Sequence, residues 1–186
     1  MSELAEHSER GLASPPWLNL VLFHLVWLVC ILANNTLALA ATILFLGIHS
    51  VFYVDHKKEW LIIAGFTLVG VIVDSLQMNL GYIIFSGSIK IDVVDTHVLL
   101  PPIWLVCLWI AFATTLAHGL FWFAKHLKLA ALCALVSVPV SYYFGAILSG
   151  STLVTGVKFL LIEGAIWSIL FPVGLMFSRQ LKGQSS

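Results

Sequence analysis

A chain of 186 residues, 60% hydrophobic and only 10% charged, cannot cover itself with a water-compatible surface; soluble domains carry about 25% charged residues. Lys and Arg together number 9, as do Asp and Glu, so the balance excludes a polyanionic partner, and no nucleic acid is expected. Cys30, Cys107 and Cys133 lie in apolar runs without C-x-x-C spacing, which argues against a disulfide framework or a zinc site. They read as small buried hydrophobes.

Residues 1–16 form a short N-terminal segment in which Glu3, Glu6 and Glu9 outweigh Arg10. That is the wrong charge for the basic start of a cleavable signal peptide, so the first apolar run reads as an uncleaved anchor. Apolar runs of about 20 residues each mark a membrane span. They predict six spans, at 17–33, 37–53, 61–85, 103–124, 129–148 and 157–177, followed by a tail at 178–186. The expected fold class is an all-α polytopic helix bundle with one transmembrane domain over 17–177. Asn34-Asn35 between the first two spans reads as a turn, since Asn tolerates left-handed angles.

Placing the N-terminus inside puts Arg10, Lys57, Lys58, Lys125, Lys128, Arg179 and Lys182 on the cytoplasmic side, against Lys90 and Lys158 outside. This bias predicts both termini in the cytoplasm. Gly70 and Gly81 on the third span, and Ala134, Ser141 and Gly145 on the fifth, predict close packing of these two helices. Pro139 is expected to kink the fifth.

Against this background Asp74 stands out, near the middle of the third span. A carboxylate there costs about 2.5–3.5 kcal/mol on insertion scales, and so it is expected to face the bundle interior. Asp74 and Gln77 share a face by i, i+3 spacing. Thr114 and His118 share one on the fourth span, Ser141 and Tyr142 sit near the centre of the fifth, and Glu163 lies on the sixth. Together these residues suggest a polar track through the membrane, with Asp74 facing Ser141 or Tyr142 and Thr114 bridging Asp74 towards His118. His24, His49 and His118, on three spans, fall at a similar depth, about 7–10 Å inside the cytoplasmic boundary at 1.5 Å per residue; His24 and His49 are secondary candidates.

No metal and no cofactor are expected. No H-x-x-x-H or H-x-x-H-H spacing occurs, and a haem held by two of these histidines has no further support in the spacing. Asp92-x-x-Asp95-x-His97 in the outer loop has cation-binding residue types but reads more simply as a solvated loop. G-x-S-x-G, Walker A and G-x-G-x-x-G sequences are missing, which leaves hydrolase and nucleotide chemistry without a motif.

The run LPPIWLVCLWIAFATTLAH at 100–118, the run VPVSYYFGAIL at 138–148, and Asp74-Ser-Leu-Gln ahead of Gly81-Tyr82 carry a resemblance across nearly the whole chain. They resemble an uncharacterised bacterial inner-membrane family, the domain of unknown function 2878. The resemblance implies a compact multi-span protein, encoded near genes for modifying membrane fatty acids, and brings no activity, substrate or catalytic residue. The family is richer in glycine at the segment matching Ser137-Val138-Pro139, so packing there is expected to differ.

Three functions are compatible with these features. One is a proton- or small-solute-handling bundle centred on Asp74. Another is an integral-membrane enzyme or accessory protein in membrane lipid or fatty-acid modification, with Asp74 and His118 as an acid–base pair. The third is a non-catalytic membrane partner protein. The expected partners are the lipid bilayer, a lipid or small-solute ligand, and another membrane protein.

Overall fold

The structure, a computed structural model, describes residues 15–54, 57–94 and 96–183. Most of the N-terminal segment, including its glutamates, lies outside the described residues.

Among the described residues there are six α-helices: α1 (Pro16–Leu32), α2 (Asn35–Phe52), α3 (Glu59–Asn79), α4 (Ile103–Thr115), α5 (Leu127–Ser149) and α6 (Val157–Gly183). An antiparallel hairpin, β1 (Ile89–Val93) and β2 (Thr96–Leu100), stands between α3 and α4, and a 3-10 turn at Phe121–Lys125 joins α4 to α5. Four helices, α2, α3, α5 and α6, are long and apolar enough to cross a membrane, while α1 and α4 are shorter apolar helices. The chain is a membrane protein by this measure. Its polarity is inverted relative to a soluble fold. Leu25, Leu44, Leu61, Leu68, Val136 and Leu161 point outward, whereas Asn19, His49, Asp74, Gln77, Thr114 and Glu163 are buried.

Sequence and structure diverge in several places, each with a local cause. Asn34 is extended (φ −80°), and its side chain accepts the Leu37 N–H at 2.9 Å. It therefore caps α2 and does not make a left-handed turn. Helix α3 ends at Asn79, short of residue 85, because Gly81 turns the chain at φ +72°, a conformation glycine adopts without steric cost. Asn79 then pins the hairpin: its amide donates to Leu99 O (2.9 Å) and its carbonyl accepts the Leu99 N–H (3.0 Å). With the helix shortened, Asp74 lies in the last third of α3.

The fourth span breaks at Thr115, well before residue 124. The Thr114 hydroxyl donates to Ala111 O (2.8 Å) and the Thr115 hydroxyl to Phe112 O (2.6 Å), local bonds that compete with helical pairing. Asn19 lies against the break, its carbonyl 3.4 Å from the Gly119 N–H and its amide 3.4 Å from the Thr114 hydroxyl. Residues 113–117 are buried in protein, the condition under which irregular backbone is tolerated at membrane depth. The sixth helix runs past 177 to Gly183, so most of the expected tail is helical.

The expected close pairing of the third and fifth spans is replaced by two others. Helix α3 packs on α4, and α5 packs on α6. A Cβ at Gly70 would lie 2.1 Å from the Trp109 ring, and one at Gly164 only 2.7 Å from Leu135 O. The glycines at these seams let the neighbouring helix close in. Ala130, Ala134 and Ala146 are the buried residues of α5, while Ser141 is exposed.

Candidate functional site

Two polar centres lie on α3, fifteen residues apart and so roughly 22 Å along its axis. The upper one, near the hairpin, is built around Asp74. Because Gly70 has no side chain, the Trp109 indole lies flat against α3 one turn before Asp74. From there its Nε1–H donates to Asp74 Oδ2 at 2.6 Å. Tyr142 reaches over from α5 and donates its hydroxyl to Asp74 Oδ1 at 3.1 Å. Asp74 is fully buried and faces Tyr142, away from lipid. Trp109 also stacks on Trp167 of α6, with centroids 4.9 Å apart and planes at 14°.

Glu163 completes this centre from α6. It is wholly buried. The Gln77 amide and the Trp167 indole lie beside it and turn their N–H groups to its carboxyl. Buried polar groups are nearly always satisfied by protein or by ordered water. A buried cluster of polar groups, Gln77, Glu163 and Trp167, therefore sits beside Asp74.

Next to this centre a cavity of about 690 Å³ opens along the thin boundary between α1 and α5, floored by α4. Trp109 and Tyr142 form part of its wall, and Asp74 holds both from behind. Phe23, Trp27, Leu108, Phe112 and Phe144 make its body apolar. At the hairpin end it is rimmed by Ser149 and Ser151, whose hydroxyls are 2.7 Å apart. Ser141 and His24 also line it. His24 is exposed there, with Nδ1 bonded to its own helix at Leu20 O (2.7 Å).

The lower centre was not anticipated as a cluster. His49 at the end of α2 and His118 in the break after α4 both point Nε2 at one oxygen, Glu59 Oε1, at 2.9 and 2.7 Å. Glu59 opens α3, in what the sequence suggests is a connecting loop. Only the similar depth of His49 and His118 hinted at the arrangement. His24 takes no part in it.

The continuous track therefore divides. Asp74, Gln77, Tyr142 and Glu163 gather above, and His118 gathers with His49 below. The expected Thr114 bridge from Asp74 to His118 is replaced by the hydroxyl's bond to Ala111 O and its contact with Asn19. Asp92 and His97 pair across the hairpin (Oδ1 to Nδ1, 2.6 Å), both well exposed, and Asp95 lies outside the described residues.

The family described as "Protein of unknown function (DUF2878)" matches residues 16–173. The chain belongs to this family. The match takes in every residue of both polar centres and the cavity wall. No curated protein and no solved structure matches.

The Gly70–Trp109–Asp74 contact makes a specific prediction. Gly70→Ala displaces the indole and strips Asp74 of one donor, the same loss that Trp109→Phe produces directly. Leaving a buried polar group short of a partner costs about 1–3 kcal/mol. Both variants are expected to unfold earlier than the unmutated protein in detergent by that margin, and the double variant by no more than the larger single effect. Additive losses would disprove the shared mechanism.

Proposed function

We propose that this member of the DUF2878 family binds an amphipathic, lipid-class molecule within the membrane. The cavity beside Asp74 carries this reading. Its 690 Å³ falls within the roughly 300–1,000 Å³ of ligand pockets, and an apolar body with few polar groups is their usual character. An aromatic and aliphatic interior under a serine rim fits a hydrocarbon chain ending in a hydrogen-bonding head. The Asp74 carboxyl acts as a positioning group, locking the Trp109 and Tyr142 rings that wall the cavity. This favours the lipid enzyme or accessory role, and the cavity has no polar pair placed for acid–base work between Asp74 and His118.

Native mass spectrometry of the protein purified in mild detergent tests it. A lipid-class molecule is expected to remain bound at about one per chain, and Ser141→Trp, which fills the cavity from an exposed position of α5, is expected to reduce occupancy at least tenfold. Equal retention by the variant would sink the proposal.

Proton handling is the second reading, and its specific support is Glu163. A buried carboxyl beside Gln77 and near Asp74 is the kind of group that marks intramembrane proton paths. In proteoliposomes with an internal pH dye, the unmutated protein would dissipate an imposed gradient and Glu163→Gln or Asp74→Asn would abolish that flux. Gradients held equally by all three exclude the reading.

The proposed setting is a bacterial inner membrane crossed six times, both termini in the cytoplasm. In this reading the two additional spans are the broken α4, packed on α1, α2 and α3, and the short α1, packed on α2 and α4. The seven-to-two distribution of Lys and Arg supports this orientation. Single cysteines at Lys57 and Lys182, in a background freed of the native cysteines, are expected to resist an impermeant thiol reagent in intact cells, while one at Asp92 reacts. Labelling of the first two from outside would reverse the orientation.

A further inference from the structure

The lower centre has the makings of a ligand set that no spacing in the sequence announces. Three groups converge from α2, from the first residue of α3 and from the break after α4, and their ligating atoms all lie within 4.8 Å of one another. We propose that His49, Glu59 and His118 bind a divalent first-row transition metal of the zinc or ferrous type, open on one side.

The donor set selects the class of ion. Two imidazole nitrogens and a carboxylate oxygen suit first-row transition metals, whereas magnesium and calcium prefer all-oxygen shells and copper(I) prefers sulfur. Three protein ligands are one short of a closed tetrahedral site, which leaves a position for water or a substrate atom. Access comes from the His118 and Glu59 side, whose side chains are 9% and 8% exposed, since the His49 side chain is fully enclosed.

Charge points the same way. Among the described residues, Glu59 has no Lys or Arg ion-pair partner; it meets only the two imidazoles. A buried carboxylate needs charged or hydrogen-bonding partners, and the two imidazole Nε2 atoms are the ones turned to Glu59. A divalent ion held among the three side chains would neutralise the carboxylate.

The framework is stiff enough to hold the geometry. Tyr53 stacks on the His49 ring (5.7 Å, 15°), and Trp60 meets it edge-on at 6.2 Å. Tyr53 also packs on His118 at 5.3 Å. Metal bonds of about 2.0–2.1 Å in a tetrahedron set ligand atoms about 3.3 Å apart. The Glu59 oxygen, now at 2.7 and 2.9 Å from the two nitrogens, needs to retreat by about half an ångström, within reach of a side-chain rotation.

The test uses the full-length protein in detergent, stripped with a chelator and titrated with Co2+. One equivalent is expected to bind, with visible d–d absorption, and Glu59→Gln and His118→Asn are expected to weaken binding beyond the 10–100-fold typical of losing an outer-shell partner. The double variant Asp92→Asn/His97→Gln, which removes the exposed hairpin pair, is expected to titrate normally. Uptake well below one equivalent, Glu59 and His118 variants that bind as tightly as the unmutated protein, or loss of uptake in the hairpin variant would each overturn the site. A second measurement needs no mutation in the cluster. Without metal, each Nε2 faces a carboxylate oxygen and so carries a proton; metal takes the Nε2 lone pair and leaves the ring proton on Nδ1. Nitrogen-15 spectra of the histidines are expected to show that change on adding Zn2+, and unchanged spectra would refute the proposal.

Discussion

The absence of a side chain at Gly70 decides more of this architecture than any other single feature. It lets the Trp109 indole lie against α3, and from that position the indole reaches Asp74, stacks on Trp167 and walls the cavity. Three helices are tied together by one aromatic residue, with a carboxyl as the anchor. Such ties matter more here than in water. Apolar burial gives little drive for helix association in lipid, so close packing and interhelical hydrogen bonds carry it. Asp74 serves that end from α3, taking donors from α4 and α5.

The same constraint explains the lower end of the bundle. Helix α4 stops at Thr115, and its freed backbone is met by Asn19 and by turn bonds from His118 and Leu120 to Thr115 O. Breaking the helix there swings His118 toward Glu59 and His49. A continuous fourth helix would carry His118 on a regular helical face, with no turn to redirect it. Backbone irregularity and side-chain convergence are thus one event, placed where protein shields it from lipid.

The two centres suggest a division of labour along α3. Near the hairpin, Asp74 fixes aromatic walls around an apolar cavity, with the buried polar groups of Gln77 and Glu163 behind them. At the other end, two imidazoles and a carboxylate face one another beside a partly open edge. A separation of roughly 22 Å along the helix is too great for direct chemistry between them.

Membrane residence and the identity of the costly residues were legible in the residues alone. Runs such as 129–148 and 157–177 announce long apolar helices because nothing else accommodates so many Leu, Ile, Val and Phe. Asp74 was conspicuous because a carboxyl in that setting is expensive. Helix ends were less legible: Gly81 and the Thr114-Thr115 pair stop helices through backbone geometry and local hydroxyl bonds, which hydropathy does not register. The partners were decided by tertiary structure. Trp109 read as one more apolar residue, and Glu59 as part of a loop, until packing brought each to its counterpart. Composition records the energetic cost of a polar side chain in lipid. Which groups offset that cost depends on residues 10, 35, 59 and 68 positions away meeting in space, and only the packed bundle sets those distances.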